Sequence, residues 1–270
     1  MSTAPALQRG HELSAPTGAV VYHAVRKEGE DELSRNTSAL AWSGLAAGMS
    51  MGFSFASEGL LRAALPDAPW RPLVAKLGYS VGFLIVVLGR QQLLTENTLT
   101  VILPALRRRD SLMLANVMRL WTTVLAANLA GAAVFAWIVA RGPVFQRDVQ
   151  DALAALGRES VAPTFAAILL RGVFAGWLIA LMVWLLPFAQ TSRVSVIIIV
   201  TYIVGLGRLS HVIAGSIETL FLVARGELSA GGYVVRYLLP SLVGNIIGGV
   251  SLVAAVAHAQ YVAAAEALDG

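Results

Sequence analysis

The sequence predicts an all-α integral membrane protein with six transmembrane helices in two similar halves, the second and fifth helices being broken at membrane depth. Three observations predict it. Of 270 residues, 57% are hydrophobic and 13% charged, with a mean hydropathy of +0.70, whereas soluble domains carry about 25% charged residues. Lipid must therefore replace water around much of the surface, because 20 basic and 16 acidic side chains cannot cover a soluble core of this size. The apolar residues also gather into six stretches of about 20 residues, the length that crosses a bilayer. Finally, polar or glycine-rich strings interrupt two of those stretches at corresponding places.

The same numbers exclude several classes. The length leaves no room for a large extramembrane catalytic domain. With no cysteine, thiolate metal sites, disulfides and cysteine nucleophiles are excluded. A metalloprotease H-E-x-x-H, a P-loop and a dinucleotide-binding glycine motif are all missing, so no enzyme and no cofactor is expected. The net charge is +4, but the basic residues are scattered apart from Arg107-Arg108-Arg109 and lack an aromatic platform. Nucleic acid is not expected as a partner.

Residues 1–36 read as a cytoplasmic N-terminal segment, disordered near Pro5, Pro16 and Gly18. They lack the apolar run of a signal peptide, so the first span is expected to be retained. Ala19 to Asn36 suits a short amphipathic helix on the membrane face, where Glu28, Glu30, Asp31 and Glu32 argue against deep insertion. Residues 37–265 form the six-helix channel domain, and 266–270 a C-terminal tail.

Span 1 runs from about Leu40 to Leu61, and its Gly44, Gly48 and Gly52 place glycines on one face for close helix packing. Span 2, about Leu73 to Leu94, meets the polar string TENTLT and resumes from Val101 to Leu106. Span 3 covers about Ala115 to Val139, followed by a polar connection long enough for a surface helix. Span 4 starts near Pro163, suited to a first helical turn, and stops at Pro187. Span 5 begins with the β-branched run Val194 to Val204, breaks over Gly205 to His211 and continues to about Val223. Span 6 runs from about Tyr233 to Ala265 with Gly244, Gly248 and Gly249 as a second packing surface. Interrupted segments in matching positions of two halves point to an inverted repeat with its site near the midplane. Broken backbone survives there only inside protein or along a wet cavity, so the two breaks should face each other. The basic residues divide almost evenly between the two sides, and the compact arginine cluster favours both termini inside, in a bacterial-type inner (plasma) membrane.

Ionisable residues within the spans cost about 2.5 to 3.5 kcal/mol each when charged at a helix centre, so they should pair or face water. Arg90 has Glu96 or Glu218 as prospective partners, while Arg119 and Arg171 can snorkel or cap carbonyls. His211 sits in the span 5 break and titrates near neutral pH; it serves either as a site residue or as a cap for the resumed helix. Glu218, seven residues on, shares its helical face. The string Gly48-Met49-Ser50-Met51-Gly52 matches a serine-nucleophile pattern, but it lies in a continuous helix where the required strand–turn–helix context is missing.

Four strings in order resemble the formate/nitrite transporter family: LGRQQLLTENTLT (Leu88 to Thr100), RGVFAGWLIALMVWL (Arg171 to Leu185), LSHVIAGSIETLFL (Leu209 to Leu222) and GNIIGGVSLVAAVAHAQY (Gly244 to Tyr261). The resemblance covers about residues 37 to 265. It implies an aquaporin-like six-helix protomer, a homopentamer with one pore per protomer, and passive or proton-coupled movement of small monovalent anions such as formate, nitrite or hydrosulfide. Carried over residue by residue, the family's central histidine falls on His211 and its loop threonine on Thr95. Its apolar cytoplasmic-side constriction positions fall on Tyr79 and Phe83, with Val204 facing them.

The departures are specific. Ser210 stands where a glutamate usually precedes the histidine, Gly215 and Gly176 replace two asparagines, and Arg90, Gln92 and Glu96 enter the first loop. This resembles a divergent branch lacking some of the usual pore asparagines. A bare anion loses hydration in an apolar constriction and a neutral acid does not. The expectation is therefore that arginines gather the anion, Thr95 binds it and His211 protonates it. Two other arrangements use the same residues. A water- or glycerol-type channel would use Arg90 as a cation filter, and a non-conducting scaffold would plug the pore with Arg90, Glu96 and Glu218.

Overall fold

The structure is a computed structural model that describes residues 17–108, 110–254, 257–259 and 261. Of the expected disordered stretch at 1–18, residues 1–16 lie outside the described residues and Gly18 instead opens a helix; the tail at 266–270 and the end of the expected channel domain at 262–265 also lie outside the described residues.

Helix α1 (Gly18–Ser34) precedes the bundle. A short turn leads to Asn36, whose side chain accepts from the Ala39 N–H at 2.7 Å and starts α2 (Thr37–Ala64). At 28 residues, α2 is roughly 42 Å long, enough to cross a bilayer. Its glycines fit against α6 (Ser111–Arg141): a Cβ on Gly48 would stand 2.1 Å from the Asn128 carbonyl oxygen, and one on Gly131 would stand 2.3 Å from that of Leu45. Only glycine permits that approach, which also explains the serine-nucleophile match as helix packing. Helix α8 (Phe165–Leu185) and α11 (Ala230–Ser251) cross in the same way, with Gly248 against the Val173 carbonyl and Gly176 against the backbone of Asn245.

Between these pairs run the broken helices. The first comprises α3 (Arg71–Leu88), which contains a 3₁₀ turn at Lys76–Tyr79, followed by α4 (Leu94–Thr100) and α5 (Ile102–Arg108). The second comprises α9 (Arg193–Leu206) and α10 (Val212–Arg225). The expected surface connection is α7 (Arg147–Val161). Among the described residues, α3, α6, α8 and α11 are long and apolar enough to span a membrane. Helix α2 has the length, but its serines and glycines leave it outside that group.

Some boundaries move for local reasons. TENTLT is helical, and the interruption lies just before it, at residues 89–93. Pro163 precedes the cap of α8 and is not in its first turn, because the Thr164 hydroxyl accepts from the Ala167 N–H at 3.3 Å. Span 6 contains two π-helical stretches, Val234–Leu238 and Ile247–Ala254, that the periodicity did not reveal. At its far end, His258 accepts or donates at Nδ1 with the Tyr22 hydroxyl at 2.9 Å, and Tyr261 stacks on the Tyr22 ring. Helix α1 and the end of span 6 therefore lie on one side of the bundle.

Candidate functional site

Both breaks begin with the same tripeptide. Leu88-Gly89-Arg90 ends α3 and Leu206-Gly207-Arg208 ends α9, with the arginines in the left-handed region at φ 49° and 50°. The hydrogen bonds also repeat. Gly89 N–H reaches the Ile85 carbonyl and Gln91 N–H that of Val86, while Gly207 N–H reaches Ile203 and Leu209 N–H reaches Val204. Each is a six-residue helix-ending loop of the Schellman kind.

One asparagine per half then satisfies the backbone that the breaks leave open. Asn128 of α6 accepts from the Leu94 N–H at 3.1 Å and donates to the carbonyls of Gln92 and Gly44 at 2.9 and 2.8 Å. Asn245 of α11 accepts from the Val212 N–H at 2.8 Å and donates to the carbonyls of Ser210 and Gly172 at 2.8 and 2.9 Å. Without water in the hydrocarbon zone such bonds are obligatory. The sequence carried a signal for both anchors, an N-x-x-G string on the third helix of each half (Asn128 to Gly131, Asn245 to Gly248), which span-by-span reading missed.

The breaks meet at Thr95 and His211, whose Oγ1 and Nε2 lie 2.8 Å apart. His211 is also the cap of α10, its Nδ1 accepting from the Ala214 N–H at 3.2 Å. Its two sequence readings are thus both present in one ring. With Nδ1 an acceptor, the ring proton sits on Nε2 and is donated to Thr95, leaving the threonine hydroxyl hydrogen for another acceptor. Phe83 packs its ring edge-on to His211 with centroids 5.0 Å apart, and Tyr79 follows at 5.4 Å from Phe83. Tyr237 donates to the His211 carbonyl at 3.1 Å. Its hydroxyl occupies the space beside Gly215, where a Cβ would stand 1.7 Å away. Gly215 is thus the counterpart of a tyrosine, and Gly176, expected among the pore-lining positions, is a helix-crossing contact.

The eight candidate residues fall into three groups. Arg90 and Glu96 line a cavity of about 620 Å³ beside α1. Tyr79, Val204 and Glu218 line a smaller one of about 40 Å³ beneath α7. Thr95, His211 and Phe83 are buried between them and line neither. Tyr79 and Val204 lie on the side away from α1, so an inside N-terminus and a cytoplasmic constriction at these residues exclude each other. One expectation is corrected. Arg90, Glu96 and Glu218 do not form a plug, because two cavities separate them and no ion pair joins Arg90 to either carboxylate among the described residues.

Several other ionisable groups find partners nearby. Arg119 donates to the Leu33 and Arg35 carbonyls at 2.8 and 3.1 Å, capping the end of α1 as the sequence allowed. Glu58 pairs with Lys76 at 2.5 Å, and Glu159 of α7 with Arg62 at 2.7 Å and Arg208 at 3.6 Å. Glu218 accepts from the Ser160 hydroxyl in a short hydrogen bond. Glu32 of α1 accepts from Thr100 at 2.7 Å and Gln92 at 3.3 Å, fastening α1 over the first break. Burial pushes the Glu32 carboxyl up to about 7, against the pull of those two bonds.

Known proteins agree with this geometry. Residues 19–259 match the family described as Formate/nitrite transporter. The chain is 38% identical over 246 residues to the inner membrane protein YfdC of Escherichia coli, covering 91% of this chain and 79% of that one. It is 24% identical to the formate channel BtFdhC of Bacillus thuringiensis, covering 88% and 92%. A solved pentameric formate channel with formate bound superposes with a TM-score of 0.70 at 22% identity, covering 88% of this chain and 99% of that one. An ion channel of the same family gives 0.74 at 16% identity, covering 87% and 96%. Those likenesses give the aquaporin-like broken-helix fold, and the match along nearly the whole length gives the ancestry: this chain is an integral membrane protein of the formate/nitrite transporter family.

Proposed function

We propose that this protein moves small monovalent weak-acid anions of the formate, nitrite and hydrosulfide type across a bacterial inner membrane, as a homopentamer with one pore per protomer. The observation that carries the reading is the Thr95–His211 hydrogen bond, which joins two broken helices between a cavity on each side. Arg90 and Arg208 raise the anion concentration at the two mouths. Thr95, its hydroxyl already accepting from His211, donates to the anion, and His211 exchanges a proton so that a neutral acid passes Phe83. The pentameric formate channel among the solved structures and the inner-membrane relative support assembly and location.

Stopped-flow flux into liposomes containing the purified protein tests the reading, with formate, nitrite, hydrosulfide and acetate set against glycerol. Weak-acid flux should rise as pH falls between about pH 8 and 5, and His211→Ala should lower it on the order of 100-fold. Glycerol flux without acid flux would overturn the proposal and make Arg90 a charge filter.

A further inference from the structure

We propose that Glu218 is the proton-exchanging group of the α7-side mouth, where it protonates an incoming weak-acid anion ahead of the narrowing between Tyr79 and Val204. This rests on the weak-acid function proposed above and adds where the proton enters. Glu218 lines the small cavity together with both narrowing residues. It lies on the same face of α10 as His211, seven residues and about 10 Å along the axis.

The groups facing Glu218 leave the role to it. Two other carboxylates approach, Glu58 from α2 and Glu159 from α7, and each is committed to an ion pair, with Lys76 and with Arg62 and Arg208. Glu218 makes no ion pair among the described residues; its bond is to the Ser160 hydroxyl. Arg171 and Arg208 line the same cavity and hold an anion beside the carboxyl. The hydroxyl of Tyr237 is bound to the His211 carbonyl, and Tyr79 lines the cavity with its ring against Phe83.

His211 is badly placed to serve this mouth. It lines neither cavity, and both ring nitrogens are occupied. A second proton on Nδ1 would break the cap of α10 and set a cation at a helix N-terminus, where the dipole opposes it. The step at Glu218 is a simple exchange. Its carboxyl O–H bond breaks as an O–H bond, or an S–H bond for hydrosulfide, forms on the anion, and water at the mouth returns a proton to the carboxylate. The Thr95–His211 pair then meets a neutral acid from the α7 side and an anion from the α1 side.

Formate flux into proteoliposomes, followed with an entrapped pH dye between about pH 5 and 8, tests this on wild type, Glu218→Gln and Glu218→Asp. Expected is a roughly tenfold or greater loss of flux at the alkaline end in Glu218→Gln, little loss at the acid end, and recovery of the wild-type profile in Glu218→Asp. An unchanged profile in Glu218→Gln overturns the inference, as does an equal loss at every pH in both variants. Should Glu218→Gln fail to assemble, Ser160→Ala keeps the carboxyl but removes its hydrogen bond, and an unmoved midpoint would overturn the inference. A wild type that moves no formate overturns the function itself, an outcome distinct from a wild type that conducts and a variant that matches it.

Discussion

Arg90 and Arg208 occupy a backbone region where a side chain costs about 1 to 2 kcal/mol relative to glycine. The two strained arginines each line one of the two cavities, which fits the anion-gathering role proposed for their guanidinium groups. Arg90→Gly and Arg208→Gly should therefore each raise thermal stability by roughly 1 kcal/mol while lowering formate flux, a split that unfolding and liposome assays on the same preparation would show. The asparagine anchors predict the opposite. Asn128→Ala and Asn245→Ala each strand a buried N–H and two carbonyls, costing about 2 to 4 kcal/mol and lowering the unfolding temperature by similar amounts. Of the site, the sequence made His211 visible through its place in the span 5 break and Thr95 through family resemblance. The anchors stayed hidden because an asparagine inside an apolar helix has no periodic signature, and its partners lie 33 to 84 residues away.

At the scale of elements, α3, α6, α8 and α11 were legible from hydropathy, because a spanning helix must present about 20 apolar residues to lipid, and the α7 surface helix was legible from the length of a polar connection. The position of the first break was not. TENTLT looked unable to continue a helix, yet several of its polar side chains find partners within the protein: Thr98 donates to the Thr95 carbonyl, Asn97 to Gln92, and Thr95 meets His211. What ends α3 is Gly89 with a distant anchor, a tertiary cause. The close helix crossings were readable from glycine spacing, and they predict that Gly48→Leu drives α2 from α6 at a cost of about 3 kcal/mol or more, seen as loss of assembled protein on size-exclusion chromatography. Helix α1 should respond to pH. Its Glu32 carboxyl is raised when docked, so docking favours the protonated form, is firmest below the ordinary carboxylate value of 4.5, and weakens as pH rises through about 7. A fluorophore on Glu30→Cys should report release of α1 towards pH 8, and Glu32→Gln should abolish the response.

On the scale of the whole molecule, the two halves repeat the turn at each break and its asparagine anchor, while the cavities beside the breaks differ. The α1 side has a wide cavity beside helix α1, and the α7 side a tight one braced by ion pairs. Orientation is open to direct test, since the natural sequence contains no cysteine. An impermeant maleimide added to intact cells should label Arg147→Cys and spare Asp31→Cys if α1 is inside. The clamp on His211 has a further consequence for the cell. Its ring is tied at both nitrogens and packed against Phe83, so the two cavities are kept apart by a hydrogen-bonded side chain. A membrane that stores energy as a proton gradient is then less readily short-circuited by many copies of such a protein, because a proton relayed through the ring must first break one of its two hydrogen bonds.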